Sequence, residues 1–140
     1  ALMLSEQAKA FIAEHHKAVL NTFRKNGMAQ LSVIVVGPFE DGAAFTTTAD
    51  RAKLPNLKRD PRCSLLVSQD SWWGFLVLVG KARVMSSDNT DPETLKMALR
   101  DIYRSIAGEH PNWSEYDQAM VDEKRSAVVV VPDHVYGTAL

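Results

Sequence analysis

Between Lys17 and Ser86 the chain carries five strand-length apolar runs, each closed off by a turn signal before the next begins. Runs of this length, rich in Val, Ile, Thr and aromatic side chains, read as β-strands, and strands in quick succession pair antiparallel. KAVLNTF and MAQLSVIVV are separated by RKNG, whose Asn26-Gly27 pair supplies the positive φ angles of a tight hairpin. GPFEDG is the next turn, AAFTTT the third strand, and RCSLLVSQ the fourth, opening just after Asp60-Pro61. The fifth lies within WWGFLVLVGKARVMS, and its Gly80 marks a bulge or bend in a curved sheet. A meander is the expectation.

Helical spacing frames this run of strands. SEQAKAFIAEHH predicts a short first helix capped by Ser5, with Ala8, Phe11 and Ile12 along one face. DPETLKMALRDIYRSIAG repeats its apolar residues at Leu95, Leu99, Ile102 and Ile106, starts at Asp91-Pro92 and stops at Gly108. NWSEYDQAM makes a second helix capped by Asn112 or Ser114; SAVVVVP returns as a strand before Pro132, and HVYG trails after it. Such an order predicts one domain over 1–140, mainly β with accessory helices, whose antiparallel sheet forms a partly closed barrel.

Charge and composition narrow the function classes. Lys and Arg number 16 against 17 Asp and Glu, a net charge of −1, so no overall attraction to nucleic acid or an acidic membrane is expected. The apolar runs are far shorter than the roughly 20 residues of a membrane helix, and ALMLSEQ lacks a basic start and a cleavage site, so a soluble, cytoplasmic protein is expected. Cys63 has no partner cysteine and reads as a buried strand position. Histidines at 15, 16, 110 and 134 lack metal-ligand spacing, so no metal is expected; GxSxG, the Walker loop and GxGxxG are also absent. In GEHPNW, Gly108 and Pro111 suit a helix-to-helix corner better than catalysis by Glu109 or His110.

FTTTADRAKLPNLKRDPR concentrates three hydroxyls and five cations. Thr46, Thr47 and Thr48 end a strand, Arg51 and Lys53 occupy the following loop, and a short helix is expected to begin near Pro55. Hydroxyls, loop cations and free N–H groups in one small volume suit a phosphate, with a solvated turn as the alternative. Lys58, Arg59 and Arg62 flank Asp60 and read as solvated residues or local ion pairs.

Threonines at a strand end, DRAKLPNLKRDPRCSLLV, and a long strand with an aromatic start and a VLVG core together resemble the flavin/deazaflavin split-barrel oxidoreductases. This is the superfamily of pyridoxamine 5′-phosphate oxidase. QLS, IYRSIAGEHPNWSEYDQAMV and HVYG make the coenzyme F420-dependent branch the most similar, over nearly the full chain. The resemblance implies a homodimeric, FMN-binding-type split β-barrel with cofactor sites where the two barrels meet, and a small-molecule substrate. It implies that Arg51 and Lys53 hold the cofactor's phosphate with Thr46, Thr47 and Thr48 lining the pocket. Gln30 and Ser32 would then lie along the ring, and Trp73, Gly74 and Phe75 across the dimer groove. Apolar residues at about Leu31 and Val36 replace the arginine and lysine of the pyridoxamine phosphate oxidases, which favours F420 over FMN. FMN chemistry and a non-catalytic cofactor carrier are the alternatives. No residue is an obvious proton donor; Tyr116, Tyr136 or water are the candidates.

Overall fold

A computed structural model describes residues 4–140; residues 1–3, which open the stretch read for a leader, lie outside the described residues. Helix α1, Glu6–Glu14, is capped by the Ser5 hydroxyl accepting from the Ala8 N–H. Strands β1, Lys17–Phe23, and β2, Ala29–Val35, follow as an antiparallel pair. Their turn differs in detail from expectation: among its residues Gly27 alone has a positive φ, of 85°, and Arg24 N–H donates to Met28 O. Such a turn followed by a left-handed glycine closes a hairpin as well as the two-residue turn does.

GPFEDG is more than a turn. Gly37–Phe39 forms a short strand, β3, paired with β4, Gly42–Thr47, and the turn shrinks around Glu40, whose φ is 50°. Pro38 is tolerated because β3 is an edge strand with no further neighbour to receive an N–H. Helix α2, Lys53–Arg59, leads to β5, Arg62–Ser68, and β6, Phe75–Met85. Helices α3, Pro92–Ala107, and α4, Trp113–Asp122, are capped by Asp91 and Asn112, and β7, Ser126–Tyr136, completes the sheet. β7 therefore runs through Pro132 instead of ending there. Gly80 pairs with Pro132 and Val79 with His134, so Asp133 is the extra residue of a bulge, the one place in a central strand where proline costs no ladder bond.

The strands are ordered β2-β1-β5-β6-β7-β4-β3, all neighbours antiparallel, which is not the simple meander. β4 turns to β7 instead of β5 because both need cover on two faces: β4 is almost wholly buried and β7 is buried over its first five residues. Val128 and Val130 point into the barrel with Leu20, Phe45, Leu65 and Leu78, while Ala127 and Val129 face Leu95, Leu99, Ile102 and Tyr116 of the outer helices.

Seven strands laid flat would hold the two edges about 29 Å apart at 4.8 Å per neighbour. Yet β2 ends at Val35 and β3, on the opposite edge, begins at Gly37, two residues or about 7 Å away. The sheet must curl until its edges nearly meet. Val36, fully buried with its N–H on His16 O, bridges them, and beyond it β2 and β4 diverge without pairing. The result is a split barrel, and the split holds the site.

Candidate functional site

Where β2 and β4 separate, a cavity of about 620 Å³ opens, lined by Thr46, Thr47, Thr48, Arg51 and Lys53 together with Ile34 of β2. Strand alternation places the threonines: Thr47 is buried, Thr46 and Thr48 half-exposed. The Thr48 hydroxyl donates to Asp50, whose carboxyl is held below its usual range by that bond first and by Arg51 and Arg125 after it. Arg51 N–H donates to Thr48 O, so the loop folds back on the strand end it leaves.

Lys53 opens α2. That helix is fastened to β1 by buried Asn56, whose amide donates to Thr22 Oγ1 at 3.2 Å, and by Leu54 and Leu57 in the core. Burial lowers the Lys53 pKa, and the nearby Arg51 charge lowers it further. Neither Lys53 nor Arg51 has a carboxylate within 4 Å among the described residues, so two cations are held close together without a counter-ion. The free helix N–H groups expected here contribute less: α2 has seven residues, no side-chain cap, and its Leu54 N–H already donates to Arg51 O. Side chains supply the positive charge.

The opposite wall comes from a segment that sequence reading did not single out. Glu123, Lys124 and Arg125, between α4 and β7, line the same cavity. Arg125 pairs with Glu123 at 2.9 Å and reaches Thr46 Oγ1 at 3.5 Å. The only available signal was a Lys-Arg pair just ahead of a strand buried on both faces; that it lands beside the threonines depends on the β4–β7 register, Thr47 opposite Ser126.

A second, more apolar cavity of about 790 Å³ adjoins the first, sharing Ile34, Thr46 and Arg125 and bounded by Ile102, Tyr103 and Met120 of the outer helices. Gln30 and Ser32 point to the same sheet face as Ile34, because they oppose the inward residues Thr22 and Leu20. Gln30 lies about 13 Å along the strand from Ile34 and is held by Arg24 at 2.7 Å. Ser32 Oγ is buried without a hydrogen-bond partner, a hydroxyl in need of one.

Trp73, Gly74 and Phe75 are not brought to this cavity within one chain. They sit at the β5–β6 turn, at the end of the sheet where Val77 pairs with Tyr136, whereas Thr46 pairs with Ala127 about nine residues or roughly 30 Å along β7. Trp73 is 84 % exposed and Trp72 occupies the left-handed region at φ 68°. Tyr136 belongs to that far end too, stacked on His134. Tyr116, nearer the cavity, donates its hydroxyl to Leu99 O at 2.8 Å, and burial pushes its pKa up to about 12. Its proton is committed.

Other side chains read as structural are so placed. Lys58 pairs with Asp88, Arg62 with Asp60, and Arg59 donates to Phe23 O. Glu109 binds Arg104 and the Trp113 indole, and His110 Nδ1 accepts from Asn112 N–H. Burial raises the Cys63 thiol to about 12. No helix among the described residues is long and apolar enough to cross a membrane.

Residues 4–139 match the family model of pyridoxamine 5′-phosphate oxidase. Among solved structures, a conserved hypothetical protein from Mycobacterium tuberculosis is similar at 20% identity and a TM-score of 0.75, over 96% of this chain and 83% of that one. An F420 reductase is similar at 22% identity and a TM-score of 0.65, over 95% and 98% of the two chains. A heme binding protein from Mycobacterium smegmatis is similar at 17% identity and a TM-score of 0.64, over 96% of this chain and 54% of that one. At these identities the likeness is one of fold.

Proposed function

Because the chain belongs to the pyridoxamine 5′-phosphate oxidase family, we propose that it is an oxidoreductase that uses coenzyme F420 and transfers a hydride between the deazaflavin and a small conjugated electrophile. The observation that carries this reading is the cavity at the barrel split, where three threonines meet Arg51 and half-buried Lys53, neither of them ion-paired within 4 Å among the described residues. A phosphate there would neutralise two crowded cations and accept from the hydroxyls. An F420 reductase among the structural neighbours is in keeping with this choice of cofactor.

The bound deazaflavin would supply the hydride chemistry, and the chain would supply position and exclusion of water. Arg51 and Lys53 would anchor the phosphate; the Thr46 hydroxyl would donate to it, with Thr48, whose own proton goes to Asp50, lining the pocket; Ser32, with its unsatisfied buried hydroxyl, would offer a hydrogen bond further along β2. Neither Leu31, exposed on the outer face, nor Val36, fully buried, can offer the cavity a charge, which argues against pyridoxamine phosphate oxidation itself.

Leu31, Val33 and Val35 are 62, 79 and 54 % exposed, three apolar side chains in a row on the outer face of an edge strand. Exposed apolar stripes of this kind mark an interface, and the reading includes a homodimer in which the partner's Trp73, Gly74 and Phe75 approach the site that their own chain holds too far away.

FMN is the second reading, favoured by the cavity's excess of positive charge, which suits a phosphate monoester. A cofactor carrier is the third, favoured by the commitment of Tyr116 to Leu99 O. Titration with F420 and FMN, then anaerobic mixing of the reduced complex with enones and quinones, separates them. Oxidation of bound reduced F420 by at least one acceptor is expected. Tight F420 binding with no oxidation by any acceptor would indicate the carrier, and preferential FMN binding would indicate the flavin.

A further inference from the structure

The cavity has two cationic walls, and neither the family resemblance nor the reading above uses the second. β4 and β7 run side by side through the pairs Thr46–Ala127 and Thr47–Ser126. Past those pairs the two segments part like a fork. One tine is Thr48 to Lys53; the other is Lys124 and Arg125, and the cavity lies between them.

The second tine is fixed by backbone geometry. α4 ends with Lys124 N–H on Val121 O at 3.1 Å and Arg125 N–H on Met120 O at 3.0 Å, the paired bonds of a Schellman cap. The residue that turns left-handed in this motif is ordinarily glycine, since a Cβ makes that conformation costly. Here it is Lys124, at φ 53°. A side chain stands where the cap alone would favour none, and it lines the cavity without a carboxylate within 4 Å among the described residues. Arg125 meets Thr46 Oγ1 on one side and Glu123 on the other, and it also borders the adjoining apolar cavity.

Counted together, the lining has four cationic side chains, Arg51, Lys53, Lys124 and Arg125, against two acidic ones, Asp50 and Glu123. An excess of two positive charges is left, and a singly charged phosphodiester would neutralise half of it. We propose that Lys124 and Arg125 form a second binding wall, and that the site selects ligands presenting at least two negative charges within reach of both walls. A phosphate monoester dianion, a diphosphate, or a phosphodiester beside a carboxylate has that chemistry. The inference rests on the cavity being the anion site of the proposed function, and it names the residues that would set its charge selectivity.

Inorganic pyrophosphate at constant ionic strength tests it without any cofactor, read by thermal shift on the full chain. Wild type should show a saturable rise in Tm with pyrophosphate, and a smaller one with inorganic phosphate. Lys124→Gly keeps the cap and relieves its strain, so its Tm without ligand should rise while its pyrophosphate affinity falls by at least about tenfold. Arg125→Gln should lose affinity to a similar degree. Glu123→Gln breaks the same ion pair as Arg125→Gln yet should bind pyrophosphate several-fold more tightly, because it frees the guanidinium and removes a negative charge; a purely structural role would move both variants the same way. Wild-type affinity in Lys124→Gly and Arg125→Gln, or no response of wild type to pyrophosphate, would overturn the second wall. F420 and FMN titrations run beside it keep the two readings apart. If pyrophosphate binding depends on Lys124 and Arg125 but neither cofactor binds, the wall stands and the cofactor reading falls. If F420 binding needs Lys53 but ignores Lys124 and Arg125, the reverse holds.

Discussion

Lys53 is the residue on which the cofactor reading turns, and its pH behaviour follows from its surroundings. Burial and Arg51 depress its pKa below the ordinary lysine value of 10.5. The other charged groups lining the cavity are Asp50 on the same wall and Glu123, Lys124 and Arg125 on the opposite one. An anion prefers the charged form, so affinity should be full below the depressed pKa and fall as pH rises through it, before an ordinary lysine would titrate. Lys53→Arg should carry binding to higher pH, which a titration series between pH 7 and the alkaline limit of stability would show. The unfolded chain holds that proton more tightly than the folded one, so without ligand Lys53 should make stability rise with pH in the same window. The division of the cations in FTTTADRAKLPNLKRDPR was legible from residue order: Arg51 and Lys53 reach the cavity, while Lys58 and Arg62 pair with Asp88 and Asp60. The opposite cations, Lys124 and Arg125, were not legible, because their place depends on a strand register that no local pattern encodes.

Among the elements, the helix caps followed the expected local chemistry and the hairpins β1–β2 and β5–β6 paired as expected, while β1 with β5 and β4 with β7 are partners that the meander did not predict. Ser5, Asp91 and Asn112 each accept from an N–H in the first turn of their helices, as their side chains predict. Asp91→Ala should therefore lower the midpoint of a denaturant titration through loss of the cap, with the cavity at the barrel split untouched. The pairing of β4 with β7 across three helices and two strands could not be read from spacing, although two-sided burial was foreshadowed by the unbroken SAVVVV run. Gly80 was read as a bend, and its reason is now specific: a Cβ there would collide with Val131 O, opposite the bulge at Asp133. Gly80→Val should destabilise the protein by roughly 2–3 kcal/mol, visible as a lowered Tm, because the backbone across the pair cannot yield.

For the molecule as a whole, the curl of the sheet is what turns scattered residues into a site: Ile34 and Thr46 stand five strands apart in the sheet order yet line one cavity. A barrel was legible from the sequence of hairpins and the helical excursion; where it splits was not, since that depends on Val36 crossing between the two edges in a single residue. The apolar outer row of β2 gives a prediction at this scale. The chain should sediment as a dimer, and Val33→Lys should shift it toward monomer and weaken cofactor binding along with it, because the proposed site draws Trp73 from the partner. Direct titration of coenzyme F420 into wild type and Lys53→Ala, followed by calorimetry or ligand fluorescence, tests the central claim most simply. Saturable binding by wild type and a loss of about 1.5–3 kcal/mol in the variant are predicted; equal affinity in the two proteins, or no binding by wild type, would contradict it.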